Sequence, residues 1–381
     1  MPAAPSEPGT AIVIPASLKP ADGRFGSGPS KVRPDALAWL SGPEGSIMGT
    51  SHRQPPVRSL VGRLRSALSD LFGLPDGYEV VLGNGGTTAF WDIATFCLIE
   101  NRSQHLRFGE FSSKFATAAA AAPWLADPDC IDSPTGAHPE AEARQGIDLY
   151  ALTHNETSTG VMMTVRRPDG ADPGALVAVD ATSAAAGLRV EPDQFDVYYF
   201  APQKSLASDG GLWLALMSPA AVTRVERLKA SGRFVPAFLD LSLAIDNSRL
   251  DQTYNTPALA TLLLAVHQLE WALENGGMEF TCGRCDRSAE IIYGWAETSA
   301  YASPFVAKPD ERSHTVATID FDPSVDAGAV AKVLRANGIV DTEPYRRLGR
   351  NQLRIAMFPA VDPEDIEALT GCIDYVVSAL A

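Results

Sequence analysis

The stretch FAPQKSLASDGGLWLALMS, residues 200–218, decides how the rest of the chain is read. The apolar run Val197-Tyr198-Tyr199-Phe200-Ala201 leads into it and reads as a buried strand ending at Pro202. A second buried strand, Gly211–Met217, begins a few residues later. Between the two stands Lys204. Lysine is among the residues least often found inside, so an ammonium group set between two core strands needs a reason.

Outward from this point the same strand signal recurs. Apolar runs at 78–83, 104–108, 147–153 and 176–180 read as strands, and helical or turn-rich segments separate most of them. Val57, Leu60, Val61, Leu64, Leu68, Leu71 and Phe72 repeat at three- and four-residue spacing, an amphipathic helix closed by Gly73 and Pro75. A helical run over 88–99 follows a glycine turn, and the alanines at 116–122 read as plain helix. The alternation predicts an α/β domain with a mostly parallel sheet. Asn255-Thr256-Pro257 predicts a further helix, with Thr256 as N-cap and Pro257 in the first position. After one more helix the chain repeats strand, helix, strand, helix over 314–321, 326–338, 352–358 and 362–380, the pattern of a small α+β domain. The expected division is an N-terminal arm over 1–27, loose in its Pro- and Ala-rich first part, a large domain over 28–275 and a small C-terminal domain over 276–381.

Composition narrows the functions. The 381 residues are 45% hydrophobic and 20% charged, as in an ordinary soluble enzyme. A net charge of −15 argues against a nucleic-acid partner, and any anionic substrate must be held by a local basic cluster working against the global field. No run approaches the ~18 apolar residues of a membrane span, and the N-terminus lacks the basic start and apolar stretch of a secretory signal. Five cysteines at irregular spacing fit a reducing cytoplasm. Cys282-Gly-Arg-Cys285 has the spacing of a redox pair or half a zinc site. No second pair follows and the segment reads as helix, so a structural role is expected. Lysine is scarce: of Lys19, Lys31, Lys114, Lys204, Lys229, Lys308 and Lys332, only Lys204 follows directly on a buried strand.

Three constellations carry chemistry. Gly83-Asn-Gly-Gly-Thr-Thr88, between a strand and a helix, is either a plain turn or a loop whose N–H groups cradle a phosphate at the helix N-terminus. Thr88 stands where the third glycine of a dinucleotide fingerprint belongs. Asp180 closes the strand LVAVD, at the edge where ligands of such sheets bind. Lys204 is the third. Together they make a pyridoxal phosphate site: a lysine forms a Schiff base with the cofactor aldehyde, and an aspartate keeps the pyridinium nitrogen protonated.

Ser51-His52-Arg53, Asn155-Glu156-Thr157, Asp180, Gln203-Lys204 and Asn255-Thr256-Pro257 occur in an order and spacing that resemble the phosphoserine aminotransferase family, class V enzymes of fold-type I. The resemblance spans nearly the whole chain beyond the N-terminal arm. It implies a seven-stranded-type, mostly parallel sheet in the large domain and pyridoxal 5'-phosphate as cofactor. It further implies that Lys204 holds the cofactor, Asp180 meets its ring nitrogen, Thr157 bonds the ring hydroxyl and Phe111 stacks on the ring. Thr87, Thr88 and Gln203 resemble the phosphate binders. Asn255 and Thr256 would reach the same phosphate from a second subunit, implying a homodimer.

For substrates, the resemblance implies L-glutamate and 3-phosphohydroxypyruvate, with a second reaction on the phosphorylated four-carbon oxo acid of pyridoxine synthesis. Arg354 resembles the α-carboxylate anchor, His52 and Arg53 the phosphoryl-binding pair, and Arg346 a third contact. Tyr345 stands where many relatives carry histidine, and two residues are inserted before Arg354, so Arg346, Arg347 and Arg350 are open alternatives for that contact. The rival readings are an alanine–glyoxylate-type aminotransferase or cysteine desulfurase and, from another class, a dinucleotide-dependent dehydrogenase or nucleotide-binding module. A desulfurase needs a cysteine on a mobile loop, and the chain offers no good candidate.

Overall fold

The computed structural model describes residues 12–381, so the first part of the expected N-terminal arm lies outside the described residues. In chain order the large sheet and its helices comprise α1 (Pro34–Leu40), α2 (Pro55–Phe72), β1 (Glu79–Gly85), α3 (Thr87–Cys97), β2 (Ser103–Arg107), α4 (Glu110–Ala120), β3 (Asp129–Asp132) and β4 (Leu149–Thr153). A two-strand ribbon, β5 (Asn155–Glu156) with β6 (Val161–Met162), interrupts them. Then come β7 (Leu176–Asp180), β8 (Val197–Phe200), β9 (Gly211–Met217), α5 (Pro219–Ala230), α6 (Leu241–Arg249) and α7 (Leu259–Glu274). The C-terminal part holds α8 (Gly277–Thr298), β10 (Ala302–Pro304), β11 (Val316–Phe321), α9 (Ala327–Ala336), β12 (Gln352–Ala356) and α10 (Pro363–Leu380).

Seven strands form the large sheet in the order β1-β9-β8-β7-β4-β2-β3. Only β9 runs against its neighbours, antiparallel to both β1 and β8; the other pairings are parallel. The two-residue period of a strand explains the burial on both faces. Val80, Leu82, Tyr198, Phe200, Leu212, Leu214 and Leu216 join one cluster with α2 and α7. Val81, Val197, Tyr199, Trp213, Ala215 and Met217 face the other way, onto α3, α4, α5 and α6. That is why these strands read as continuous apolar runs rather than alternating ones. α2 ends where expected, at Gly73 with φ +56°, a left-handed conformation that glycine adopts without a Cβ clash.

β10, β11 and β12 make a separate antiparallel sheet covered by α8, α9 and α10. Ile14 and Phe25, near the N-terminus, are buried in this cluster. Ala356 N–H donates to the Phe25 carbonyl, and Phe25 N–H to the carbonyl of Val340.

One helix start needs correction. α7 opens at Leu259, with Ala258 as its flanking residue, not at Thr256 and Pro257. Thr256 is drawn into tertiary contacts instead: its carbonyl accepts from Asn84 Nδ2 at 2.7 Å and its hydroxyl lies 3.2 Å from His52 Nδ1. The strands β3, β5, β6 and β10 were not read from sequence; they are short, and β3 is only partly buried.

Candidate active site

The parallel register aligns the carboxyl ends of neighbouring strands, with Thr153 of β4 beside Asp180 of β7 and Asp180 beside Tyr199 of β8. Beyond these ends lies a cavity of about 390 Å³, lined among others by Thr87, Phe111, Thr157, Asp180, Lys204 and Arg354. Crevices at the carboxyl ends of strands are where open α/β sheets bind ligands.

Lys204 follows β8 by four residues and is 8% exposed. Its Nζ donates to Thr157 Oγ1 at 2.8 Å and lies 5.3 Å from the centre of the Phe111 ring. Burial lowers its pKa to about 8, opposed by the negative charges of Asp180 and Glu156. Gly28 borders the same side chain: a Cβ there would stand 3.0 Å from Lys204 Cε.

Asp180 is buried at the end of β7. Its Oδ2 accepts from Trp91 Nε1 at 3.1 Å, and its Oδ1 from Thr182 N at 3.0 Å and Thr182 Oγ1 at 2.6 Å. Burial raises its carboxyl pKa; the bonds from Thr182 and Trp91 oppose that rise. Thr157 is held by Ser183, whose hydroxyl lies 2.8 Å from it and donates to the Asn155 carbonyl. The ring of Phe111 is placed by Glu156, which accepts from the Phe111 and Ser112 N–H groups at the start of α4. Negative charge at that helix end also suits the dipole.

At the start of α3, Gly86, Thr87 and Thr88 line the cavity. The Thr87 and Thr88 N–H groups precede the first acceptor of the helix, leaving them free for an anion. Arg354 of β12 reaches in from the C-terminal sheet. Burial lowers its pKa; Nη1 has one long bond to the Thr157 carbonyl at 3.4 Å, and Nε is buried with no partner. Its guanidinium stands 5.3 Å from the centre of the Tyr345 ring.

The cavity thus brings together Thr87, Thr88, Phe111, Thr157, Asp180, Gln203, Lys204 and Arg354. It does not include His52, Arg53, Asn255, Thr256 or Arg346. His52 meets Thr256, and Arg53 Nη1 donates to Gln252 Oε1 at 2.9 Å, on a surface where Arg53, Asn255 and Thr256 are exposed. Among the open alternatives, Arg347 pairs with Glu110 and Arg350 with Asp320, and Arg346 is exposed. Cys282 and Cys285 are buried within α8, and burial pushes the Cys282 thiol up to about 12. Among the described residues no three His, Cys, Asp or Glu cluster as a metal site would require. No helix of the described residues is long and apolar enough to cross a membrane.

Sequence reading missed Trp91, Thr182 and Ser183. Trp91 carries a faint signal, four residues after Thr87 and so on the same face of α3. Thr182 sits two residues after Asp180, the spacing of a local side-chain turn.

The family model for aminotransferase class V matches residues 128–368, and the chain is a pyridoxal-phosphate-dependent aminotransferase of that class. A phosphoserine aminotransferase of a Nocardioides species is 62% identical over 97% of this chain and 99% of its own length. A putative phosphoserine aminotransferase of Mycolicibacterium paratuberculosis is 61% identical over 97% and 98%. A crystal structure of a phosphoserine aminotransferase from Cytophaga hutchinsonii superposes with a TM-score of 0.85 at 23% identity, covering 93% of this chain and 99% of that one. The chain belongs to the phosphoserine aminotransferase family.

Pyridoxal phosphate is the cofactor of this class, and the residues fit it. The amine of Lys204 is bonded to a hydroxyl rather than a carboxylate, and the three hydrogen bonds to Asp180 come from neutral donors. The cavity therefore holds a nucleophilic amine at one side and an anion unmatched by a hydrogen-bonded cation at another, suited to an aldehyde and a protonated ring nitrogen. Asn155 Oδ1 and Gln203 Oε1 are buried without partners in its wall.

Proposed function

We propose that this aminotransferase moves the amino group of L-glutamate to 3-phosphohydroxypyruvate, giving O-phospho-L-serine and 2-oxoglutarate, as a cytoplasmic homodimer serving serine biosynthesis. The observation that carries this reading is the buried Lys204 amine, held by Thr157 in one cavity with Asp180 and the under-paired guanidinium of Arg354. The 58–62% identity to phosphoserine aminotransferases supports the choice of substrate over glyoxylate.

In this reading Thr87, Thr88 and Gln203 hold the cofactor phosphate, Phe111 covers the ring, Thr157 bonds its hydroxyl and Asp180 its nitrogen. When bound, the cofactor supplies an aldehyde that takes up the amino group and a protonated ring that draws electrons from the substrate α-carbon. Three hydrogen bonds to Asp180 favour its anionic form and oppose the rise that burial gives its pKa, and a protonated ring nitrogen against it would favour the same form. Lys204, with its amine free during turnover, takes the proton from the substrate α-carbon and returns it; a pKa near 8 suits that work. Arg354 grips the α-carboxylate, since a planar fork matches a carboxylate at two points.

His52, Arg53, Asn255 and Thr256 act in the partner's site. Arg53, Asn255 and Thr256 are exposed, with half-buried His52 against Thr256, and Arg53 faces the neutral amide of Gln252 rather than a carboxylate, leaving its charge for an anion. Arg346 joins them as the phosphoryl contact, because Arg347 and Arg350 are engaged by Glu110 and Asp320. The γ-carboxylate of glutamate uses the same cluster, and the phosphorylated four-carbon oxo acid of pyridoxine synthesis presents the same two ends. Residues 28–275 form the cofactor-binding domain and 276–381 the small domain, to which the segment around Ile14 and Phe25 attaches.

The test is a comparison of turnover with glutamate as donor and either 3-phosphohydroxypyruvate or glyoxylate as acceptor. The phosphorylated acceptor should win by a wide margin. A preference for glyoxylate would sink the reading.

A further inference from the structure

Trp91 is buried against the core under the large sheet, yet its indole N–H points at a carboxylate. One helical turn before it, Thr87 lines the same cavity. The Thr182 hydroxyl lies 2.8 Å from Thr87 Oγ1 and bonds Asp180 Oδ1. The helix α3 therefore meets Asp180 twice, directly through Trp91 and indirectly through Thr182, while its N-terminus lines the cavity with free N–H groups.

We propose that Trp91 is a positioning residue for the cofactor: its indole N–H fixes the rotamer of Asp180, in register with the phosphate-facing start of α3. This rests on the reading of Asp180 as partner of the ring nitrogen. A phenylalanine at 91 would keep most of the packing and remove the only donor to Oδ2 among the described residues. If Trp91 were merely a core filler, that exchange would leave cofactor binding as it is. A hydrogen bond to a charged group is strong enough for its loss to be read, and burial makes an unmatched carboxylate oxygen costly.

Two measurements test this. In the first, the cofactor-free protein is labelled at its tryptophan indole nitrogens and followed by NMR. Of the six indole signals, the one absent from Trp91→Phe should be the one that moves most in Asp180→Asn. If Trp91→Phe fails to fold, Trp91→Tyr supplies the same assignment. A Trp91 signal indifferent to Asp180→Asn overturns the proposal. In the second, the dissociation constant for pyridoxal phosphate is measured for each variant, together with the absorption of the resting holoenzyme over pH. Trp91→Phe should weaken cofactor binding by about tenfold and change the pH response of the absorption. If Asp180→Asn binds the cofactor as tightly as the parent protein, the reading of Asp180 falls. If Asp180→Asn weakens binding while Trp91→Phe matches the parent in affinity and spectrum, only the positioning proposal falls.

Discussion

Burial lowers the amine of Lys204 to about 8 because taking an ammonium group out of water disfavours its charged form, and the charges of Asp180 and Glu156 offset this only in part. In the unfolded chain the same amine titrates near 10.5. Between those values the unfolded state holds a proton the folded state has released, so the stability of the cofactor-free protein rises with pH across that window. Below it the burial penalty is fully present, about 3 kcal/mol. Urea unfolding of cofactor-free protein should therefore find Lys204→Met more stable than the parent by up to about 3 kcal/mol near neutral pH, with the gap closing as pH approaches the unfolded value. A gap that does not change with pH would mean that Lys204 is not titrating as described. Capture of pyridoxal phosphate should also accelerate with a midpoint near 8, since only the neutral amine attacks an aldehyde. Lys204 and Asp180 were legible because one follows and the other closes an apolar run that reads as a buried strand, where a charge is costly to bury. Trp91 was not: an aromatic residue on an apolar helix face looks the same in sequence whether its N–H meets a carboxylate or a carbonyl.

At the scale of elements, periodicity served where one face or both faces are buried, as in α2 and the inner strands of the large sheet. The end of α2 depends on one residue. Gly73 has φ +56°, so Gly73→Ala should lower stability by about 1 kcal/mol in urea unfolding while leaving cofactor affinity unchanged. No loss of stability would show that this turn tolerates a Cβ. Periodicity failed for β3 and β10, whose few residues are partly exposed and carry too little apolar pattern. It also misplaced the start of α7, because Thr256 has the chemistry of an N-cap but its hydroxyl and carbonyl are taken by His52 and Asn84. A cap is a local option, and tertiary partners distant in sequence outbid it here.

At the scale of the whole molecule, His52 and Arg53, the proposed phosphoryl contacts, lie outside the cavity, and the homodimer reading has a second copy rejoin them to it. Mixing makes this testable. Homodimers of Lys204→Ala and of Arg53→Ala should each be impaired on the phosphorylated acceptor. In a hybrid dimer both lesions fall in one site and the other site is intact, so each hybrid should regain about half the activity of the parent dimer. No recovery on mixing, with subunit exchange verified by mass, would place Arg53 in its own chain's site. The sequence by itself determined which groups are present and in what order: a lysine and an aspartate at the ends of successive buried strands, a small-residue loop before a helix, arginines near the C-terminus. These follow from backbone periodicity and the cost of burying charge, both of which are local in the chain. Tertiary structure alone decided which of them share a cavity, which arginines are already engaged by carboxylates, and that an indole from α3 meets Asp180. Those facts depend on contacts between segments far apart in sequence, set by sheet order and helix packing rather than by any neighbouring residue.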